Sequence, residues 1–195
     1  MIAHIQGILE EKNPAYTIID VNGVGYRLFI TVNTYSKLPK KGKIRLFTHL
    51  HVREDAQILY GFSNEEERLM FKNLINVSGV GATTAMLILS SLTPKEVASA
   101  IMQDDVATLK TIKGIGGKSA QRIIIDLKDK LKKQNYTIDN KIASKDNTIK
   151  NEALSAMVVL GIDKKKADLA IDKILANEDN IISVEELIKR TLKSL

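Results

Sequence analysis

The stretch LINVSGVGATTAMLIL, residues 74–89, decides the fold of the centre of this 195-residue chain, because the chain contains it twice. The second copy, LKTIKGIGGKSAQRII, occupies residues 109–124 in full register. Both copies place two glycines, one apolar residue apart, between apolar residues at helical spacing. An internal repeat indicates one structural unit used twice. Each copy is predicted to form a helix, a two-glycine turn and a second helix.

This pattern resembles the helix-hairpin-helix motif, which binds the DNA backbone without reading base sequence. Glycine permits positive φ and close approach of another backbone, and a helix that starts after the second glycine offers free N–H groups to a phosphate. A single Gly-x-Gly could equally link two packed helices; two copies in register favour the phosphate site. The first copy has no basic residue after its glycines. The candidate DNA-backbone residues are Gly79, Gly81, Thr83, Gly114, Gly116, Gly117, Lys118 and Arg122.

Upstream of the repeat, apolar and polar residues alternate, which is typical of half-buried strands. Asn22-Gly23 predicts a tight hairpin turn, because both central residues of a type I′ turn need positive φ. Five antiparallel strands in about 60 residues fit a small closed barrel of the oligonucleotide-binding (OB) type. The predicted strands lie in Ile2–Glu11, Tyr16–Val21, Tyr26–Ile30, Ile44–Thr48 and Ala56–Phe62.

The period becomes helical after Ser63, which is predicted to cap a helix with the acidic first turn Glu65-Glu66-Glu67. The helical spacing of apolar residues disappears between 132 and 148, which predicts a flexible linker. The spacing resumes after the linker and predicts three helices, near 151–160, 164–176 and 183–194. The predicted fold is α+β and multidomain: an OB barrel (1–62), tandem helix-hairpin-helix motifs (63–131), the linker (132–148) and a three-helix bundle (149–195).

Net charge and composition narrow the class of partner. The chain carries 29 Lys and Arg against 23 Asp and Glu, giving +6 and a pI near 9.3, which suggests a polyanion. Residues 151–195 carry 7 basic and 8 acidic side chains, so this segment suits a protein partner better. The absence of cysteine removes disulfides and thiolate metal sites. No secretion signal or membrane span is predicted, which favours a cytoplasmic protein.

Glu54 and Asp55 fall at the predicted turn between two strands, after His49 and His51. From the residues alone this pair fits an ordinary acidic turn, and a metal site shared with the two histidines is a weaker alternative. No further histidine or acid stands at ligand spacing, so no metal and no cofactor are predicted.

The run VREDAQ at 52–57, then LYGF at 59–62, together with the barrel and the paired hairpins, closely resembles the RuvA family over the whole chain. The resemblance implies a subunit that binds four-way (Holliday) junction DNA, with Glu54 and Asp55 as an acidic pin near the junction centre. It also implies a homotetramer, used singly or as two facing tetramers, and the partners RuvB, a hexameric ATPase, and the resolvase RuvC. The C-terminal bundle resembles a ubiquitin-associated domain that docks on RuvB, through Leu154, Leu160, Gly161, Ile162, Ala167 and Ile171.

Three departures from the family pattern each remove a basic phosphate contact. Ala3-His4 replaces a common Gly-Arg, Gly117 stands where a lysine is frequent, and the first hairpin lacks its lysine. The sequence contains no phosphate-binding loop for ATP, so the chain is predicted to be non-enzymatic. Two alternatives remain: a Mg²⁺-dependent structure-specific nuclease using Glu54 and Asp55, and an RNA-binding barrel. The low aromatic content of 5% disfavours the second.

Overall fold

A computed structural model describes residues 2–133, 145–176 and 183–194. The chain divides into two compact units, residues 1–138 and 139–195, and each is described by itself. The predicted linker, 132–148, lies largely outside the described residues. At its ends, residues 132–133 belong to one helix and residues 145–148 to the next.

The first unit begins with a closed five-stranded barrel, which confirms the OB-type prediction. Its strand order is β1-β2-β3-β5-β4. The neighbours are antiparallel as expected, except that β3 and β5 are parallel, so the expectation of five antiparallel strands is wrong for this pair. Asn22 and Gly23 join β2 to β3 with φ values of 54° and 89°, so the predicted hairpin is confirmed. The strands are β1 His4–Lys12, β2 Tyr16–Val21, β3 Val24–Ile30, β4 Lys43–Val52 and β5 Gln57–Phe62.

The described residues after the barrel form helices, and one further short helix lies between β3 and β4. Asn64, and not Ser63, caps the helix after the barrel: its side-chain oxygen accepts a hydrogen bond from the Glu67 N–H at 2.8 Å. The predicted acidic first turn is confirmed. The helices are α1 Val32–Lys37, α2 Glu65–Ile75, α3 Ala82–Ser91, α4 Pro94–Met102, α5 Val106–Lys110 and α6 Gly117–Lys133.

A buried polar cluster joins the barrel to the helices. Glu67 on α2 is fully buried, and its carboxylate accepts hydrogen bonds from the hydroxyls of Thr31 and, at 2.7 Å, Thr34. Thr34 Oγ1 in turn accepts from the Ser63 N–H at 2.9 Å. A buried carboxylate is tolerated only when hydrogen bonds replace its lost water. The cluster therefore fixes α2 against α1 and the end of β5.

Replacing Glu67 with alanine is expected to lower the free energy of unfolding by about 2–4 kcal/mol, because the two threonine hydroxyls would lose their buried acceptor and a cavity would remain. Urea unfolding followed by circular dichroism measures the change. Glu10→Ala, at an exposed strand position, is the control and should cost under about 0.5 kcal/mol. Equal effects of the two changes would show that the cluster contributes nothing specific.

The second unit is a bundle of three helices, α7 Lys145–Val159, α8 Lys164–Ala176 and α9 Val184–Ser194, as predicted. Its core consists of residues from all three helices, and the Lys150 ammonium links α7 to α8 by ion pairs with Asp168, at 3.1 Å, and Asp172. The fully buried apolar residues are Ala153, Met157, Ala167, Ile171 and Leu187.

The most apolar helices, α3 and α4, lie in the first unit. In the described part of the chain, no single helix has the length and apolar composition to cross a membrane. Helices α3 and α4 together have that length and composition, but the pair is bent by 97° at the break between them. The helical core of the unit contains Ala85, Ile88 and Leu89 of α3 and Val97 and Ile101 of α4. Packing in that core accounts for their composition.

Candidate nucleic-acid interface

The two Gly-x-Gly turns have the same backbone geometry. Gly79 and Gly114 adopt φ values of 87° and 88°, which side chains rarely tolerate. In the first turn the Val80 N–H donates to the Val77 carbonyl at 3.0 Å, and the equivalent Ile115 bond is 3.1 Å long. The sequence repeat is thus a structural repeat, and its first glycine is required by the backbone.

A common core holds both turns in place. The apolar residues that recur between the copies are all buried, so the same set of contacts anchors each hairpin. They are Leu74, Val77, Val80, Ala85, Ile88 and Leu89 in the first copy, and Leu109, Ile112, Ile115, Ala120, Ile123 and Ile124 in the second.

The second glycine of each turn is not required by the fold. Gly81 has an ordinary φ of −81°, and Gly116 is not among the residues with positive φ. A Cβ added to either would meet no atom of the described chain within 4 Å. Both glycines are exposed at the start of a helix, where a side chain would obstruct an approaching ligand. Space inside the described chain therefore does not require glycine at either position.

The first amides of helix α3 have no acceptor within the helix. The first helical hydrogen bond of α3 runs from the Ala85 N–H to the Gly81 carbonyl at 2.9 Å, and Gly81 provides no side-chain cap. The preceding amides of the first turn carry the positive end of the helix dipole. Thr83 is exposed beside them, so its hydroxyl can join a phosphate contact there.

Basic side chains supplement the second hairpin. Lys118 is exposed in the first turn of α6, which begins at Gly117. Arg122 follows one turn later, also exposed, and its Nε lies 3.9 Å from the Asp126 carboxylate. An exposed pair of this length is weak, so a phosphate can compete for the arginine.

The first hairpin and the turn between β4 and β5 lie at the same end of the unit. Helix α2 starts beside the first residues of β4, since Asn64 and Arg45 line one groove. Further along, the Phe71 ring packs on His49 with centroids 5.4 Å apart. Helix α2 therefore runs toward the end of β4, where the turn follows.

Helix α3 returns in the opposite direction. Near its C-terminal end the Ser90 hydroxyl accepts a hydrogen bond from the Val32 N–H at 3.2 Å, and the Asn33 amide donates to the Leu89 carbonyl at 2.6 Å. Both partners belong to α1, beyond the far end of the barrel from the β4–β5 turn. The connection between α2 and α3, which contains Gly79 and Gly81, is consequently on the same side as that turn.

Glu54 and Asp55 are both exposed at the tip of the β4–β5 turn. The turn is closed by a hydrogen bond from the Arg53 N–H to the Ala56 carbonyl at 2.8 Å. Two carboxylates thus project from a short rigid hairpin, which makes this end of the barrel locally negative.

The histidines of β4 do not join these carboxylates in a metal site. His49 packs on an aromatic ring of α2; burial lowers its pKa, and the nearby charges of His51 and Lys72 lower it further. His51 Nε2 accepts a hydrogen bond from Arg53 Nε at 3.3 Å. Within the described ranges no group of three or more metal-ligating side chains occurs.

The C-terminal residues assigned to partner binding divide into two groups. Ala167 and Ile171 are fully buried in the bundle core, so their part in partner binding is to position the surface around them. Leu154 and Ile162 are partly buried against the same core, whereas Leu160 and Gly161 are exposed. Sequence reasoning missed three exposed apolar residues nearby: Val158, Val159 and Leu169. They can be recognised in the sequence because they are apolar and yet fall outside the four-residue spacing of the buried apolar residues.

A small OB-type barrel followed by tandem hairpins that present helix N-termini defines a DNA-binding protein that recognises backbone and shape. Comparison with known proteins agrees. Residues 1–61 match the RuvA N terminal domain family and residues 71–129 match the SAM-like helix-hairpin-helix tandem family.

Curated relatives are named "Holliday junction branch migration complex subunit RuvA". Those of Christiangramia forsetii and Flavobacterium psychrophilum are 48% and 50% identical over 195 residues, covering all of both chains. That of Bacteroides thetaiotaomicron is 41% identical over 202 aligned positions, again with full coverage of both. The chain belongs to the RuvA family.

Proposed function

We propose that the chain binds four-way junction DNA, independently of base sequence, as the non-catalytic subunit of an ATP-driven branch migration complex. The observation that carries the proposal is that the first glycine hairpin and the acidic turn lie at one end of the same compact unit. The hairpin, which attracts phosphate, and the acidic turn, which repels it, therefore face the same DNA substrate.

The hairpins supply affinity. Backbone N–H groups after Gly81 and Gly116, with Thr83, Lys118 and Arg122 beside them, bind phosphates and therefore do not read bases. Because each contact displaces counterions, binding should weaken steeply with salt.

The acidic turn supplies discrimination. Glu54 and Asp55 serve as a pin at the centre of the junction, where the strands separate and leave space without phosphates. A continuous duplex that crosses the same position brings its phosphates against like charge, which opposes binding.

The proposed assembly and partners are those that the family resemblance implies. A homotetramer, alone or facing a second tetramer, places four pins around one junction centre. The hexameric ATPase RuvB supplies ATP hydrolysis and docks on the C-terminal bundle, and the resolvase RuvC acts on the same bound junction in the cytoplasm.

The nuclease alternative is not supported. Two-metal chemistry needs several converging carboxylates, whereas only Glu54 and Asp55 meet at the turn, and the curated relatives are named as a branch migration subunit. A labelled junction incubated with the protein and Mg²⁺ should remain full length.

Removing the charge of the pin with Glu54→Gln and Asp55→Asn should raise affinity for linear duplex roughly tenfold and affinity for the junction less than threefold, because only the duplex crosses the pin. Fluorescence anisotropy with both DNAs at equal length measures the ratio.

The matched control is Glu152→Gln with Glu185→Gln, which makes the same change in net charge at exposed positions of the C-terminal unit and should leave the ratio unchanged. Loss of binding to both DNAs in the pin variant would instead assign the carboxylates a structural role.

A further inference from the structure

The barrel carries a second strongly charged surface, at the end opposite the pin. Between Asp20 and Glu54 the chain contains seven basic residues and no acidic one. Five of the seven fall within the nine residues 37–45. The seven are Arg27, Lys37, Lys40, Lys41, Lys43, Arg45 and Arg53.

The segment from Lys37 to Lys43, here called the lysine loop, is held firmly by strand β1. The Lys12 ammonium donates to the Leu38 carbonyl at 2.7 Å, and the Leu9 N–H donates to the Gly42 carbonyl at 2.9 Å. Gly42 makes the bend with a φ of 114°. Because its backbone is fixed at both ends, the loop presents its charges at little further cost in conformational entropy.

The charges of the loop are available to a partner. Lys37, Lys40, Lys41 and Lys43 are all exposed, and none forms an ion pair within 4.0 Å with any residue of the described ranges. Two of them, with Arg45, line a groove of about 310 Å³. Like charges crowded without partners repel one another, and an anion in the groove would relieve that repulsion.

The lysine loop is remote from the junction-binding end. Strand β4 runs for ten residues from Lys43 to Val52, which at 3.3 Å per residue separates the loop from the pin by about 30 Å. The first hairpin lies with the pin. DNA held by pin and hairpin therefore leaves this surface uncovered on the same protomer.

The geometry points to a second DNA-binding surface: we propose that the lysine loop binds the phosphates of a further duplex while the hairpins hold a junction. This extends the proposed function and rests on it. Lysines are compact cations suited to phosphate. Residues 39–43, Pro-Lys-Lys-Gly-Lys, offer no aromatic or large aliphatic anchor of the kind that protein interfaces use, which favours DNA over an acidic protein.

A capture experiment tests the second surface in the full-length protein. A biotinylated four-way junction is fixed on beads and loaded with protein, and the amount of protein held is measured. A labelled linear duplex is then added at about 50 mM salt, where phosphate contacts are strong. Wild-type protein should retain the duplex. Lys40→Gln with Lys41→Gln and Lys43→Gln should reduce retention at least tenfold while changing junction affinity less than twofold.

The control is Lys164→Gln with Lys165→Gln and Lys166→Gln, three exposed lysines of the C-terminal unit, which should retain the duplex as the wild type does. Failure of the wild type to hold the junction in the first step would refute the proposed function. With the junction held, the second surface is refuted if the wild type retains no duplex, or if the loop variant retains as much. An equal loss of junction affinity in the loop variant would make the loop part of the junction site.

Discussion

A chain in which Gly81 and Gly116 are both replaced by alanine should lose only about 0.5 kcal/mol of stability at each position, because alanine caps a helix less well than glycine, and should bind a four-way junction at least 100-fold more weakly. Neither position needs glycine for the fold, because a Cβ there meets no neighbour within 4 Å. The same Cβ would stand in front of the helix N-terminus and displace the phosphate. Each charge-assisted hydrogen bond lost costs about 1.5–3 kcal/mol, and every protomer has two such sites.

The measurements are junction affinity by anisotropy and unfolding temperature by circular dichroism. Gly25→Ala is the matched control: its new Cβ would lie 3.5 Å from Ile18, an ordinary contact, and it should change neither quantity. Gly79→Ala should differ from both, because φ near 87° strains alanine and lowers stability by about 1 kcal/mol. A large fall in stability for the Gly81 and Gly116 pair would contradict the argument.

Local signals in the sequence were sufficient to predict most of the fold. The repeat of residues 74–89 at 109–124 predicted two hairpins, because equal spacing of apolar residues favours equal packing. In the structure, the φ values of the first glycine in the two turns differ by one degree. Asn22-Gly23 predicted its turn, since the required φ is available to few residue pairs. Where a feature depends on neighbours close in the chain, the residues themselves were enough.

Features that depend on distant contacts could not be predicted. Ser63 and Asn64 are both good caps. Asn64 is the cap because its extended backbone, with φ −146° and ψ 164°, makes Glu65 the first helical residue. Glu67 was predicted only as one acid of a helical first turn, and its hydrogen bonds with Thr31 and Thr34 appear only in the structure. The same holds for the site. The first hairpin and the pin lie at the same end of the unit because of the directions in which α2 and α3 run along the barrel.

The C-terminal surface provides the other large effect. Val159 and Leu160 are 86% and 61% exposed at the end of α7, just before the turn at Gly161, whose φ is 86°. Exposed apolar side chains grouped on a small domain indicate a protein-binding surface. We propose that these two side chains dock on RuvB; Leu169 of α8, which is 65% exposed, is a further apolar candidate on the same bundle.

Val159→Asp with Leu160→Asp should therefore abolish stimulation of RuvB-driven branch migration while junction affinity stays within twofold. Placing charge in the centre of an apolar contact costs several kcal/mol, enough to reduce RuvB binding more than 100-fold. Leu192→Asp, at another exposed apolar position of the same bundle, is the control for added charge and should keep most of the activity. A chain ending at Lys133 should reproduce the loss, since it lacks the bundle altogether. Full migration by the truncated chain, or loss of its junction binding, would remove the bundle from the motor contact.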